Sequence, residues 1–322
     1  MVFLLRSLGR LPLTTLYAFA RVIYFVTFHV LHWRRDLAAR NIARSFPEKT
    51  PAERAVILKQ SYRNMSEVFV ELLWGWRASA EDLKARIVME NPELVAGFVA
   101  ENRSSILLTA HVCNWEWLLP GGGAHFGIPI DAVYKPIRLR SLDAYMREAR
   151  SRFGGSPIPI KSFAFELLRR AGTLRAYALV ADQTPPKSME KHWTRFLHQD
   201  TAFFVGVEKI ARFLDAPVVY VAMRRLKRGH YAVRLHVLAE PPYDETEDET
   251  EDENEDQSED QTAHKTEDKT QDREEMEAVA PRTGAWIVEA YARKLEKEIR
   301  ASPADWLWVH NKWKYPKPDV RV

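Results

Sequence analysis

The sequence predicts an α/β fold: a mixed, mainly parallel sheet flanked by helices, preceded by a helical N-terminal region and a membrane-anchoring helix. From residue 104 onward, apolar runs of strand length alternate with stretches of helical length. This alternation is typical of parallel sheets covered by helices. Before residue 104 apolar residues recur mainly at helical spacing, and the first such stretch is apolar enough to enter a membrane.

Residues 1–35 are predicted to form the membrane anchor. The apolar segment 11–33 is long enough to cross a bilayer, but Arg21 lies near its middle. It has no cleavage site of the secretory kind, so we expect it to be retained. Three interpretations fit: a tilted span, an amphipathic helix in the membrane interface, or a buried core helix. Arginines flank both ends, so the positive-inside rule favours neither orientation strongly.

Residues 36–101 are expected to be the helical N-terminal part of the folded body. Thr50 is suited to cap a helix with Pro51 at its first position and Glu53 at its third, and apolar spacing continues to Leu73. Residues 84–90 indicate a short strand, and a further helix is expected to open at 91–93.

Residues 102–243 are predicted to be the α/β core, and 281–322 its C-terminal helix and Trp-rich tail. The predicted strands are 104–110, 130–134, 157–160, 176–181, 217–224 and 230–238. The predicted helices are 141–153, 162–171, 202–214 and, after the core, 284–301.

Residues 244–280 are predicted to be an acidic, disordered insertion. Residues 244–277 hold eighteen acidic and three basic side chains, which leaves 44 basic and 26 acidic residues elsewhere. A run of this composition buries little apolar area and repels itself. The expected role is a solvated insertion; the alternatives are a mimic of an acidic partner or a tether over the basic face.

The rest of the chain, with a net charge of about +18, predicts an anionic partner. Membrane lipid, a phosphorylated substrate, an acidic carrier protein and nucleic acid all qualify. We expect no nucleic-acid binding, because no zinc-finger spacing, helix-turn-helix signal or repeated base-stacking platform is present. The histidines lack ligand spacing, so no metal or cofactor is predicted.

The single cysteine, Cys113, excludes an intrachain disulfide and any multi-cysteine metal site. It is either a thiol nucleophile or, more in keeping with free cysteines in general, a small buried apolar residue.

The motif that indicates chemistry is His111-Val-Cys-Asn-Trp-Glu116, which follows an apolar strand. Residues five apart in a continuous helix diverge by about 140°, so the two side chains meet only if His111 lies in the turn and Glu116 begins the next helix. Glu116 could then fix the imidazole tautomer and leave the other nitrogen as a base. The alternative is a histidine with no role beyond its polarity near a helix start.

Taken together, these elements resemble the late lipid A acyltransferases. The resemblance rests on the apolar N-terminal segment and on the stretches 41–47, 111–116, 134–136, 150–154, 181–183 and 306–313. Two features differ from the family pattern: the acidic insertion, and Thr184-Pro-Pro-Lys187 in place of a glycine-containing turn.

The resemblance implies transfer of a fatty acyl chain from an acyl thioester to a hydroxyl of a lipid A precursor or related anionic glycolipid. Acyl carrier protein or coenzyme A would carry the acyl group. His111 would be the general base, and Glu116 would balance the imidazolium. The residues expected to bind substrate are Asn114, Arg150, Arg152, Asp182 and Gln183. For Asp182, polarising the acceptor, positioning a basic group and capping a strand all remain open.

The implied location is the inner membrane with its anionic phospholipid, with the catalytic domain on the cytoplasmic side. Two other functions remain open. One is acyl transfer from acyl coenzyme A to another anionic glycolipid or an aminolipid. The other is a non-catalytic protein that binds anionic lipid.

Overall fold

The computed structural model describes residues 2–243 and 284–318; the predicted acidic insertion lies outside them. The α-helices in chain order, α1 to α11, are Val2–Leu8, Leu13–Phe25, Arg35–Ser45, Pro51–Gly75, Ala80–Arg86, Glu93–Ala100, Leu118–Phe126, Arg140–Arg150, Phe163–Arg170, Gly206–Leu214 and Trp286–Ala301. The strands β1 to β9 are Ile87–Met89, Ser105–Thr109, Ile130–Tyr134, Gly155–Pro159, Ala176–Val180, Lys191–Phe196, Gln199–Phe204, Val218–Lys227 and His230–Ala239.

Seven strands form one mixed sheet in the order β1-β9-β8-β2-β5-β3-β4. All neighbouring pairs are parallel except the β8–β9 hairpin. The central strand β2 is buried at all five positions, which explains its unbroken apolar sequence. The predicted fold class is therefore confirmed.

The N-terminal helices pack side by side rather than standing apart. On α2, the buried residues Leu13, Leu16 and Ala20 lie against Val70 of α4. A π-helical turn, Val26–Val30, continues α2, and its Phe28 ring meets Tyr62 of α4 at 5.1 Å between centroids. At the start of α4, Thr50 and Glu53 form the predicted capping box. The anchor segment thus lies along a charged helix of the folded body.

Two parts of the core differ from the sequence prediction. The helix expected over 202–214 begins at Gly206, because Ala202–Phe204 belong to β7, which pairs with β6 in a separate antiparallel hairpin. A short apolar run fits a buried strand as well as a helix. The helix α7 was not among the predicted helices, because its three consecutive glycines disfavour helix, although a contact between His111 and Glu116 required a helix to begin at Glu116. Close packing accounts for one of them: a Cβ at Gly123 would lie 1.9 Å from the Phe153 carbonyl oxygen.

The C-terminal tail returns to the carboxyl end of β2. Trp306 forms an antiparallel bridge with Val112, and the Leu307 N–H donates to the His111 carbonyl oxygen at 3.1 Å. The indole rings of Trp306 and Trp308 are buried and meet edge to face. The tail therefore forms one wall of the turn that carries the His111 motif.

Candidate active site

The register of two neighbouring strands brings His111 and Asp182 together. Thr109 at the end of β2 pairs with Val180 at the end of β5, so the residues two positions further on are also neighbours. Both lie at the carboxyl edge of the parallel strands, where open α/β sheets bind their ligands. The His111 side chain is 17% exposed and the Asp182 side chain 4%, so the histidine faces the opening and the aspartate lies beneath it.

Asp182 fixes the orientation of the imidazole. Its Oδ1 lies 2.6 Å from His111 Nδ1, and its Oδ2 accepts the His111 backbone N–H at 3.1 Å. The Trp306 indole N–H donates to the same Oδ2 at 2.8 Å. An ionised carboxylate accepts only, so Nδ1 carries the hydrogen and Nε2 is left with a lone pair.

Electrostatics strengthens this pairing. Burial opposes ionisation of Asp182, yet the charge of His111 and the three hydrogen bonds lower the pKa of Asp182 to about 2. Burial also opposes a charged imidazole, but the Asp182 charge and hydrogen bond, with a contribution from Glu116, raise the pKa of His111 above its ordinary value. The pair is thus an ionised carboxylate beneath a histidine that holds a proton well, the arrangement that stabilises an imidazolium formed during proton transfer.

The expected hydrogen bond between Glu116 and the imidazole is corrected by the structure. Glu116 is engaged by Arg150, whose Nη2 and Nε donate to its two carboxylate oxygens at 2.6 and 3.0 Å. Bidentate pairing of this kind fixes both groups. Sequence spacing suggested Glu116 because it is near His111 in the chain, whereas Asp182 reaches Nδ1 through the strand order. Glu116 contributes its charge, and its side chain remains 14% exposed at the opening.

Gln183 lies against the free face of the imidazole. Its side-chain nitrogen is 3.1 Å from His111 Nε2, so the amide donates to the lone pair that a substrate hydroxyl would use. The C-terminal tail fixes the backbone of Gln183, because the Gln183 carbonyl oxygen accepts a hydrogen bond from Lys312 Nζ at 3.3 Å. Gln183 therefore occupies the position from which a hydroxyl group could reach Nε2.

Two of the predicted substrate-binding residues point elsewhere. Asn114 is fully buried; its amide nitrogen donates to Glu71 at 2.8 Å and its oxygen accepts the Trp117 N–H at 3.3 Å. Arg152 donates to backbone carbonyl oxygens of Gly75 and Trp76 at the end of α4. A guanidinium there satisfies helix carbonyls that lack partners. In this structure both side chains support the fold around the site rather than open to it.

Cys113 is a packing residue in this structure. Its side chain is 2% exposed, and its thiol lies 3.3 Å from the Met223 carbonyl oxygen. Burial raises the pKa of the Cys113 thiol well above its ordinary value, so the thiolate that a nucleophile needs is strongly disfavoured.

Sequence reasoning missed the site roles of Trp306, Lys312 and Glu71. Lys312 is 3% exposed, and burial lowers its pKa to about 7. The Trp306–Trp313 stretch was visible as a motif without an assigned contact. Glu71 could have been recognised from the sequence, because it is the one carboxylate within the otherwise apolar run Val68–Trp74.

The arrangement can perform base-assisted attack by a hydroxyl. Nε2 of His111 can take a proton, Asp182 can stabilise the resulting imidazolium, and the Glu116–Arg150 pair places both signs of charge at the opening. The fold class around this site is the one that the sequence predicts.

Comparison with known families places most of the chain in one of them. A sequence model described as the bacterial lipid A biosynthesis acyltransferase family matches residues 1–270. None of the curated proteins matches the chain. The matched stretch is most of the chain and includes His111, Glu116, Arg150 and Asp182. The chain therefore belongs to the bacterial lipid A biosynthesis acyltransferase family.

Proposed function

We propose that this protein transfers a fatty acyl chain from an acyl thioester to a hydroxyl group of a lipid A precursor or a related anionic glycolipid. The observation that carries the proposal is the His111–Asp182 pair, which leaves Nε2 available as a base at the carboxyl edge of the sheet. Membership of an acyltransferase family supports the reaction class.

In the proposed mechanism the acceptor hydroxyl replaces the Gln183 amide at His111 Nε2. Nε2 takes the hydroxyl proton as the oxygen attacks the thioester carbonyl, and the thiolate leaves as the tetrahedral intermediate collapses. Asp182 stabilises the imidazolium, which returns the proton to the departing sulfur. The thioester is already activated, so no acyl-enzyme is required.

Oxyanion stabilisation requires donors near the same point. The backbone N–H groups at the start of the short 3₁₀ helix Trp115–Trp117 and the displaced Gln183 amide are the candidates. Asn114 is not one of them, because its amide is committed to Glu71.

Substrate phosphates would find cations beside the opening. Lys135 follows β3, Arg138 lies two residues before α8, and Arg140 is the first residue of α8; all three residues are exposed. None of them forms an ion pair with a residue that the structure describes. By contrast, Arg150 is neutralised by Glu116, so it would bind phosphate only in addition to that pair.

We further propose that the anchor lies in the membrane interface. The helix from Leu13 to Val30 is long and apolar enough to cross a membrane. However, it packs along α4, which carries charged residues that lipid tails would not accept: Glu53, Arg54, Lys59, Arg63, Glu67 and Glu71. Its outer face exposes large apolar side chains suited to one leaflet: Phe19, Val22, Phe25, Val30 and Leu31.

With the anchor in the interface, the candidate active site would lie close to the membrane surface. Arg6 of α1 pairs with Glu148 of α8, two residues before the Arg150 that binds Glu116. The anchor therefore contacts α8 within one helical turn of Arg150, the residue that pairs with Glu116 at the opening. We propose the cytoplasmic side of the inner membrane, where an acyl carrier protein or coenzyme A thioester is available as donor.

Mass spectrometry of total lipids tests the proposal. Cells that lack the protein should lose one acyl chain from an anionic glycolipid, and the wild-type chain should restore it, whereas His111→Ala should not. An unchanged lipid profile in cells lacking the protein, together with binding of the pure protein to anionic vesicles, would favour the non-catalytic alternative.

A further inference from the structure

A carboxylate outside the His111–Asp182 pair, Glu71, lies buried in the last turns of α4. Glu71 is 0% exposed and accepts three side-chain hydrogen bonds. Tyr17 donates to Oε1 at 2.9 Å; Asn114 and Tyr231 donate to Oε2 at 2.8 and 2.6 Å. Its donors come from three separate parts of the fold: α2, the turn after β2, and β9.

The contact with Asn114 connects Glu71 to the catalytic turn. Asn114 is the N-cap of the 3₁₀ helix that carries Glu116, and its side-chain oxygen accepts the Trp117 N–H. An amide has one accepting and one donating end, so Asn114 can cap the turn only when its nitrogen finds an acceptor. Glu71 supplies that acceptor in a site closed to water.

A second contact holds the other end of the same turn. The Trp117 indole N–H donates to the Glu71 carbonyl oxygen at 3.2 Å, and the Trp117 ring is buried next to Trp74 and Gly75. Glu71 thus fixes the turn at Asn114 by its side chain and at Trp117 by its backbone. Between these points lies Glu116, which pairs with Arg150 at the opening.

The contact with Tyr17 extends the network to the membrane-facing helix. Tyr17 lies one residue from Leu16, on the face of α2 that packs against α4, while Phe19 and Val22 face outward. We propose that Glu71 is a positioning residue that joins α2 to the catalytic turn through Tyr17 and Asn114. The packing of α2 against α4 thereby determines how rigid the turn that carries Glu116 is. The kinetic test of this inference rests on the proposed acyl transfer, whereas the inference itself does not.

An exchange of hydrogen-bond polarity tests the Glu71–Asn114 contact. Asn114→Asp alone places two carboxylates together and should lower kcat on the order of 100-fold with unchanged KM for donor and acceptor. Adding Glu71→Gln restores one donor and one acceptor, and should recover kcat at least about tenfold over Asn114→Asp. A residue that only maintained overall stability would not give recovery specific to this combination.

Amide hydrogen exchange supplies a readout independent of activity. Residues 111–117 should lose protection in Asn114→Asp and regain it in the double variant, while protection of α11 stays constant. If the double variant recovers neither kcat nor protection, the positioning role is wrong. If wild-type protein transfers no acyl group but the exchange pattern follows this prediction, the proposed function fails and the role of Glu71 stands.

The link to α2 has a matched control on the same helix. Tyr17→Phe removes the donor to Glu71 and should lower kcat by about three- to tenfold, the range expected for one buried hydrogen bond, and raise exchange at 111–117. Tyr24→Phe removes a hydroxyl from a ring that stacks on Phe28, and should leave both readouts unchanged. Equal effects of the two substitutions would contradict the link.

Discussion

At the level of single residues, Asp182 determines the orientation and the tautomer of the His111 imidazole. It is buried, held ionised by three donors, and placed against Nδ1 by the pairing of β2 with β5. A histidine at the same point without this partner would present either nitrogen to the substrate. The carboxylate thus leaves Nε2 as the nitrogen that can act as the proposed base.

Asp182→Asn should therefore impair the chemistry more than the fold. We expect kcat to fall by roughly 10³- to 10⁴-fold, by analogy with loss of the aspartate in hydrolase triads. In the wild type burial opposes the charged imidazole, but the Asp182 charge and hydrogen bond raise the pKa of His111. The imidazole is therefore protonated, and can no longer accept a proton, below a pH higher than that of an ordinary histidine. Without the negative charge that pKa drops, so the acidic limb of kcat/KM should move to lower pH.

A pH–rate profile of the Asp182→Asn enzyme measures both effects. Asp200→Asn changes an exposed carboxylate and serves as the control. An acidic limb that stays in place would show that Asp182 does not set the protonation of His111.

In contrast with Asp182, Cys113 should be replaceable with little effect on activity. The thiol is buried and its pKa is raised, so Cys113→Ser should lower kcat by no more than a few fold, roughly the effect of placing a hydroxyl in an apolar site. Steady-state kinetics with a thermal melt separates activity from stability. An inactive but folded Cys113→Ser protein would redirect the mechanism toward thiol chemistry.

The sequence identified His111 and Asp182 as candidates but not their contact. Each follows an apolar run, which is visible locally, whereas their adjacency depends on β5 lying next to β2 in the sheet. For the same reason Glu116 was assigned a hydrogen bond that Asp182 makes. Local spacing predicts which residues reach the sheet edge; it does not predict which of them meet.

Among the elements, the tail from Pro303 to Trp313 completes the site. It supplies the Trp306 donor to Asp182 and the Lys312 donor to Gln183, although more than a hundred residues separate the partners. The tail was recognisable as a Trp-rich motif, but its contacts were not, because they form only after α11 returns the chain to the sheet.

Trp306→Phe should test this role. A smaller aromatic ring is retained while the indole N–H donor to Asp182 is lost, so we expect kcat to fall by about tenfold more than the loss of ring volume alone causes, the effect of one hydrogen bond to a charged group. Trp308→Phe is the matched control, because it removes an N–H bonded to the Pro303 carbonyl rather than to the catalytic pair. Comparable kcat losses in both variants, after correction for unfolded protein, would mean that Trp306 is only a packing residue.

The elements that were predicted incorrectly have a common physical cause. The strand β7 and the helix α7 depend on packing that overrides local preference: Phe203 is buried in a hairpin, and Gly123 is required by the nearby Phe153 backbone. The strands of the seven-stranded sheet lie close to their predicted positions, and the central strand β2, which is buried at all five positions, is continuously apolar.

Across the whole molecule, charge is distributed unevenly. Outside residues 244–277 the chain carries a large positive excess, and that interval is strongly acidic. Deleting 244–277 should leave the midpoint of thermal unfolding nearly unchanged, because the interval contains few apolar residues. It should tighten binding to anionic vesicles, and the difference should shrink as salt rises. Vesicle sedimentation over a salt series measures this; equal binding by both proteins would show that the interval does not screen the basic surface.

We propose that His111, oriented by Asp182, is the base for acyl transfer to a lipid hydroxyl at the membrane surface. The most direct measurement is single-turnover transfer from a labelled acyl thioester to a lipid A precursor in vesicles, comparing wild type, His111→Ala and His198→Asn. His198 is an exposed histidine in the turn between β6 and β7 and serves as the control. Loss of transfer in His111→Ala, with vesicle binding and folding intact and His198→Asn fully active, is the expected result. Transfer by His111→Ala at a rate near that of the wild type would contradict the account.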